Sequence, residues 1–177
     1  MNFKAVIFDL DGTLVNSIED LADSMNWVLS QNNLPVHNME AYKYFVGNGL
    51  RNLVKAALPE SHQEEDVIKN AMAEMMETYS HKCIKKTTVY EGVPDLLDGL
   101  VLRDMKAAVF SNKPDELTKK VVKALFPDHH FEAVIGFTDE SLKKPNPVVA
   151  LSICDALGLP PKNVLYVGDS GVDMQPA

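Results

Sequence analysis

Cysteine is scarce in this chain: Cys83 and Cys154 are the only two among 177 residues. So few, and so far apart, they exclude a disulfide framework and a cysteine-ligated zinc site, and buried free thiols in a reducing compartment are expected. Positive charge is also short. Lysine and arginine number 17 against 25 aspartate and glutamate, a formal net charge of -8, which excludes a broad nucleic-acid-binding or membrane-binding surface. Long apolar runs are missing, since none approaches the roughly eighteen residues needed to cross a bilayer. The sequence has no repeat, no low-complexity stretch and no secretory leader before its first apolar run, so cytoplasmic residence is expected. What is present is apolar content of 46%, enough for one ordinary domain or a core with a smaller inserted one.

Four short, β-branched apolar runs, at residues 3–8, 106–110, 132–135 and 164–167, alternate with helical patterns. That alternation predicts an α/β fold, a doubly wound parallel sheet covered by helices. Residues 16–83 show no strand pattern. Ile18, Leu21, Ala22, Met25, Val28 and Leu29 repeat with helical period after a capping-type Asn16-Ser17, and Val67, Ile68, Ala71, Met72, Met75, Met76 and Tyr79 form a second stripe. Residues 1–15 and 84–177 are therefore read as the core and 16–83 as an all-helical insert. The methionines of the second stripe are read as core packing. Trp27 lies opposite the apolar face of its helix and is expected to pack on a neighbouring element.

The first apolar run ends in Asp9-Leu10-Asp11-Gly12-Thr13-Leu14. A strand tip points residues i and i+2 the same way, so Asp9 and Asp11 form a carboxylate pair, while Gly12 permits a sharp turn whose amides can cradle an anion. Ser111-Asn112-Lys113 follows the second run. Lys144-Pro145-Asn146-Pro147 lies beyond the third, and Gly168-Asp169-Ser170-Gly171-Val172-Asp173 follows the fourth. Ligands of such sheets gather at the carboxyl ends of the strands, which makes these segments one candidate site. A carboxylate attacking an anionic phosphorus needs a cation between them. Asp9, Asp169 and Asp173 offer hard oxygens suited to Mg²⁺. Ser111, the turn amides near Leu10 and Asn112, and the point charge of Lys144 are the expected phosphate contacts.

These motifs, in this order, resemble the haloacid dehalogenase-like hydrolase superfamily, and most closely its phosphoglycolate phosphatase-like branch. The resemblance implies a Rossmann-like core with a small helical cap, and Mg²⁺-dependent hydrolysis of a small phosphomonoester through an aspartyl phosphate. 2-Phosphoglycolate is the expected substrate. Asp9 matches the nucleophile, with its second oxygen on the metal, and Asp169 matches a direct metal ligand. Asp11 matches the general acid and base and lends its backbone carbonyl to the metal, while Asp173 acts through water or orients the lysine. Lys144, immediately before Pro145, matches the family lysine.

Within the cap, Gly47, Asn48, Gly49 and Arg51 resemble the branch's specificity loop, the plainer reading being a link between two helices. The same resemblance leaves sugar phosphomutases as an alternative, although Thr13 is phosphatase-like; dehalogenases and phosphonate hydrolases lack a counterpart of Asp11. A second alternative is a phosphate- or partner-binding protein without turnover, because the family pattern continues past Ala177 through another helix and strand. A monomer or homodimer acting on a small phosphorylated metabolite is the expected state, and the five histidines are read as surface or structural.

Overall fold

The computed structural model describes residues 2–46 and 49–176. The chain divides into two compact units, Met1–Asn16 with Val89–Ala177, and Ser17–Thr88, where the sequence reading drew its boundaries at 15/16 and 83/84.

In the first unit β1 (Ala5–Phe8) is buried at every residue, as expected of a strand covered on both faces. β4 (Lys106–Pro114) and β6 (Val164–Val167) flank it in parallel, with β5 (Ala133–Phe137) beyond β4, giving the order β5-β4-β1-β6. The chain thus winds outward from β1 on one side and then crosses to the other, the arrangement that opens a crevice at the strands' carboxyl ends. Phe8 is level with both Val109 and Val167. The segments that follow those three residues therefore emerge side by side at one edge of the sheet.

Helices α5 (Val93–Val101), α6 (Asp115–Leu125) and α7 (Val148–Leu157) cover the sheet, and a short α8 (Gly171–Met174) follows β6. Ala5, Ile7, Ala108 and Phe110 pack on Val149, Ala150, Ile153, Cys154 and Leu157 of α7. Two elements run longer than the apolar pattern predicts. β4 continues to Pro114 and β5 to Phe137, with Pro114 paired to Phe137, because Gly136 lets the two backbones meet. Its N–H donates to Asp115 Oδ1 at 2.9 Å, and a Cβ there would lie 2.5 Å from the Lys113 carbonyl oxygen. β2 (Val15–Asn16) and β3 (Thr88–Val89) pair as a two-stranded sheet, too short to show any periodicity in sequence.

The second unit contains α1 (Ile18–Gln31), α2 (Met39–Phe45), α3 (Leu50–Ala57) and α4 (Glu65–Lys82). Leu21, Ala22, Met25, Val28 and Leu29 of α1 and Ile68, Ala71, Met75 and Tyr79 of α4 are buried, so both apolar stripes face inward. Trp27 stays 43% exposed, which leaves its expected packing partial. Ser17 stands at the N-cap of α1 without a side-chain cap bond, unlike the capping role its sequence position suggests. None of the described helices is long and apolar enough to cross a membrane.

Asp20 is the polar anchor of this unit. Its carboxylate is 1% exposed and accepts from the Lys86 and Thr87 amides and from the Thr87 hydroxyl, at 2.7 to 3.1 Å. Those bonds tie the start of α1 to the segment 86–87 entering β3. Asp20→Ala strands these donors, and is expected to cost about 3 kcal/mol in urea denaturation, with Asp20→Asn intermediate; a loss below about 0.5 kcal/mol contradicts the anchoring role.

Candidate active site

Asp9 follows β1 directly, and its backbone N–H donates to the Val167 carbonyl at 2.9 Å, which fixes it beside β6. Its Oδ1 accepts from the Leu10 amide at 2.7 Å and lies 2.8 Å from Lys144 Nζ. Burial pushes the Asp9 carboxyl up to about 6; the Lys144 ammonium opposes that rise, and the nearby Asp173 and Asp11 carboxylates add to it. Lys144 is almost wholly buried and also reaches Asp173 Oδ1 at 2.7 Å. Its backbone is clamped by Asn112: the Lys144 N–H donates to Asn112 Oδ1 at 2.8 Å, and Asn112 Nδ2 donates to the Lys144 carbonyl at 3.1 Å. The Lys144-Pro145 peptide is cis.

Asp173 is fully buried on α8, where Oδ2 accepts from the Ser170 amide at 3.0 Å and from the Ser170 hydroxyl. A Cβ on Gly168 would lie 2.3 Å from Asp173 Cγ. Asp169 is more open, and its Oδ1 accepts weakly from the Thr13 hydroxyl at 3.4 Å. Burial, with Asp173 adding, raises its pKa, and Thr13 and Lys144 counter part of that rise. Gly12 sits against it at φ 90°, where a Cβ would meet Asp169 Oδ2 at 2.4 Å. Two glycines therefore leave the space that two carboxylates fill.

Asp9, Asp11, Ser111, Asn112, Lys144, Asp169 and Asp173 thus meet at one sheet edge. Ser111 is buried, and its hydroxyl accepts from the Lys113 amide at 3.2 Å. The side chain of Asn112 is committed to holding Lys144. Sequence reasoning gave Lys113 no role, yet its Nζ contacts both oxygens of Asp11, at 2.7 and 2.9 Å, with the side chain 3% exposed. A lysine flanking a turn reads as solvated, and only its place in the Ser111-Asn112-Lys113 motif hinted otherwise. Tyr166 was also missed. Its buried hydroxyl has no hydrogen-bond partner among the described residues, and burial together with the Asp9 and Asp173 charges pushes its pKa up. Among the cap residues, Gly49 caps α3 at φ 81° and Arg51 pairs with Glu65; Gly47 and Asn48 lie outside the described residues.

Asp9, Asp169 and Asp173 bring one oxygen each within 4.8 Å of one another. Three hard oxygens and no sulfur or imidazole donor fit Mg²⁺. Both oxygens of Asp173 are already engaged by Lys144 and Ser170, so Asp9 and Asp169 are the better direct donors.

A model of the haloacid dehalogenase-like hydrolase family matches residues 6–177. The chain belongs to that family. Among curated members, the phosphoglycolate phosphatase of Pseudomonas putida is 34% identical over 180 residues, covering 98% of this chain and 65% of that protein. The phosphoglycolate phosphatase of Chromobacterium violaceum is 35% identical over 179 residues, covering 99% of this chain and 81% of that protein. The chain thus spans less than two thirds of the length of the Pseudomonas relative. A crystal structure from Haemophilus somnus, described as a predicted phosphoglycolate phosphatase, superposes with a TM-score of 0.88 at 32% identity, covering 99% of this chain and 81% of that one. The haloacid dehalogenase-like fold therefore accounts for the sheet order and for the strand ends that gather the candidate residues.

Gly12→Ala tests the steric side of the site. At a positive φ and 2.4 Å from Asp169, the added methyl displaces that carboxylate, and calorimetric titration is expected to show Mg²⁺ affinity reduced roughly tenfold or more, with the fold retained. Unchanged affinity contradicts the close fit of Gly12 and Asp169.

Proposed function

We propose that the chain carries an Mg²⁺-dependent phosphomonoesterase that works through an aspartyl phosphate on Asp9, with 2-phosphoglycolate as substrate. The observation that carries the reading is a buried carboxylate at the carboxyl end of β1, held 2.8 Å from a buried lysine and clustered with Asp169 and Asp173. The phosphoglycolate phosphatases among its relatives support the choice of substrate. The buried thiols of Cys83 and Cys154 suit a reducing, cytoplasmic setting, and the net charge of -8 suits a small metabolite rather than nucleic acid.

In this reading Asp9 attacks phosphorus, the bond from phosphorus to the ester oxygen breaks, and Asp11 gives its proton to the leaving alkoxide. Asp11 then takes a proton from the water that attacks the aspartyl phosphate, releasing phosphate and restoring Asp9. Lys144 offsets charge on Asp9 and on the phosphoryl oxygens, and the Ser111 hydroxyl donates to one of those oxygens. A bound Mg²⁺, held by Asp9 and Asp169 with Asp173 behind them, would supply the positive charge that lets two anions approach.

Phosphate release is the direct assay. Asp9→Asn is expected to lower turnover roughly 10³-fold or more while leaving the fold intact, with Asp11→Asn nearly as damaging. Wild-type activity is expected to vanish in excess EDTA and return with Mg²⁺. An Asp9 variant retaining more than about a tenth of wild-type turnover contradicts the covalent route.

A further inference from the structure

The geometry points to Lys113 as the residue that recognises a carboxylate on the leaving group. The inference rests on the phosphatase reading above and assigns its substrate class to a particular side chain: a phosphate ester whose carbon next to the ester oxygen bears a carboxylate.

A buried ammonium needs an anionic partner, and among the described residues Asp11 offers one to Lys113, contacted through both oxygens at 2.7 and 2.9 Å. Asp11 cannot keep that geometry throughout a reaction. To hand a proton to the leaving oxygen it must turn toward it, which removes anionic contact from a side chain only 3% exposed. In phosphoglycolate the carboxylate carbon is two bonds from the ester oxygen. An ester oxygen within hydrogen-bond reach of Asp11 therefore brings its neighbouring carboxylate close to the ammonium that Asp11 already touches.

The substrate takes over Asp11's place on Lys113, and Asp11 is released to the leaving oxygen. A leaving group without the carboxylate offers Lys113 no anion in exchange for Asp11, which is a basis for discrimination. Lys113 is also firmly placed. Its carbonyl accepts from the Thr118 hydroxyl at 3.1 Å, and its amide donates to the Ser111 hydroxyl at 3.2 Å. Arg51, the other cation considered for this task, belongs to the second unit and pairs with Glu65 there.

The test measures binding apart from turnover. 3-Phosphonopropionate has the shape of phosphoglycolate with an uncleavable methylene in place of the ester oxygen, and propylphosphonate carries a methyl group where that molecule has its carboxylate. Both are titrated calorimetrically in Mg²⁺ into wild type, Lys113→Met, Lys113→Arg and Arg51→Ala. Wild type is expected to prefer the carboxylate analogue roughly 10- to 100-fold. Lys113→Met is expected to reduce that preference to about twofold or less through weaker binding of 3-phosphonopropionate alone, and Lys113→Arg to restore part of it.

Should Lys113→Met fail to fold, the arginine variant still decides, because a charge set on a planar fork is expected to lower the preference without abolishing it. Lys113→Met retaining the wild-type preference, Lys113→Arg behaving as wild type, or Arg51→Ala alone losing the preference overturns the assignment. Equal wild-type binding of the two analogues also overturns it, while leaving the phosphatase reading intact. That reading fails separately, on absence of phosphate release from any phosphoester.

Discussion

Everything at this sheet edge is constrained by the repulsion among its carboxylates. Asp9, Asp11, Asp169 and Asp173 converge on a space where the described cations in contact with them are Lys113 and Lys144, an excess of two negative charges. Like charges with oxygens within 4.8 Å of one another repel by about 3 kcal/mol or more at an effective dielectric of about 20. The strain is visible in the neighbours. Burial is the first cause of the rise of the Asp9 carboxyl to about 6 and of the rise at Asp169, with the neighbouring carboxylates adding to both, and the nearby phenols of Tyr90 and Tyr166 are likewise pushed up by burial first and then by these aspartates. A divalent cation is the natural counterweight to that excess. The same field explains why both lysines are buried rather than solvated, since each is held by carboxylates that would otherwise repel one another.

Holding such a cluster takes more rigidity than a loop provides. Asp9 is pinned by the backbone of β6 and Lys144 by the amide of Asn112 at the end of β4. Asp173 is fixed on α8 by Ser170. Gly12 and Gly168 matter because of what they leave out: a side chain at either position would occupy the space of a carboxylate. Positioning by strand ends, with small residues reserved for close approaches, places charges that no single segment could hold together.

How legible this was in sequence depends on whether a feature is local. The buried run Ala5 to Phe8, the Asp9-Leu10-Asp11-Gly12 turn and the alternation of apolar runs with helices are local patterns, and they indicated the parallel sheet and the family. The apolar stripes of α1 and α4 were readable for the same reason. The extension of β5 to Phe137 was not, because it depends on Gly136 meeting Lys113 and Asp115 from another element. Lys113 received no role, because its partner Asp11 is 102 residues away in sequence. Asp20 looked like one more acid in a first helical turn, and its partners at 86–87 lie on the far side of the unit's sequence. Asn112 was expected to meet phosphate through a turn amide, and the bonds by which its side chain secures Lys144 carried no signal in the sequence. Polar residues whose partners are remote carry no periodic signature, so charge and hydrogen bonding were the least readable layer.

The charge constraint is tested most directly by comparing thermal unfolding of wild type and Asp9→Asn from pH 4 to pH 8, with and without Mg²⁺. Because burial raises the folded-state pKa of Asp9 from 3.8 to about 6, its contribution to stability is fully present below about pH 4 and is lost as pH rises through about 6, a change of up to about 3 kcal/mol. The neutral variant escapes that loss. In the absence of metal, the account predicts that Asp9→Asn gains on wild type as pH rises and melts higher near pH 8, and that saturating Mg²⁺ closes or reverses the gap. A wild type that remains at least as stable as Asp9→Asn at pH 8 without metal, and that Mg²⁺ does not stabilise, would contradict it.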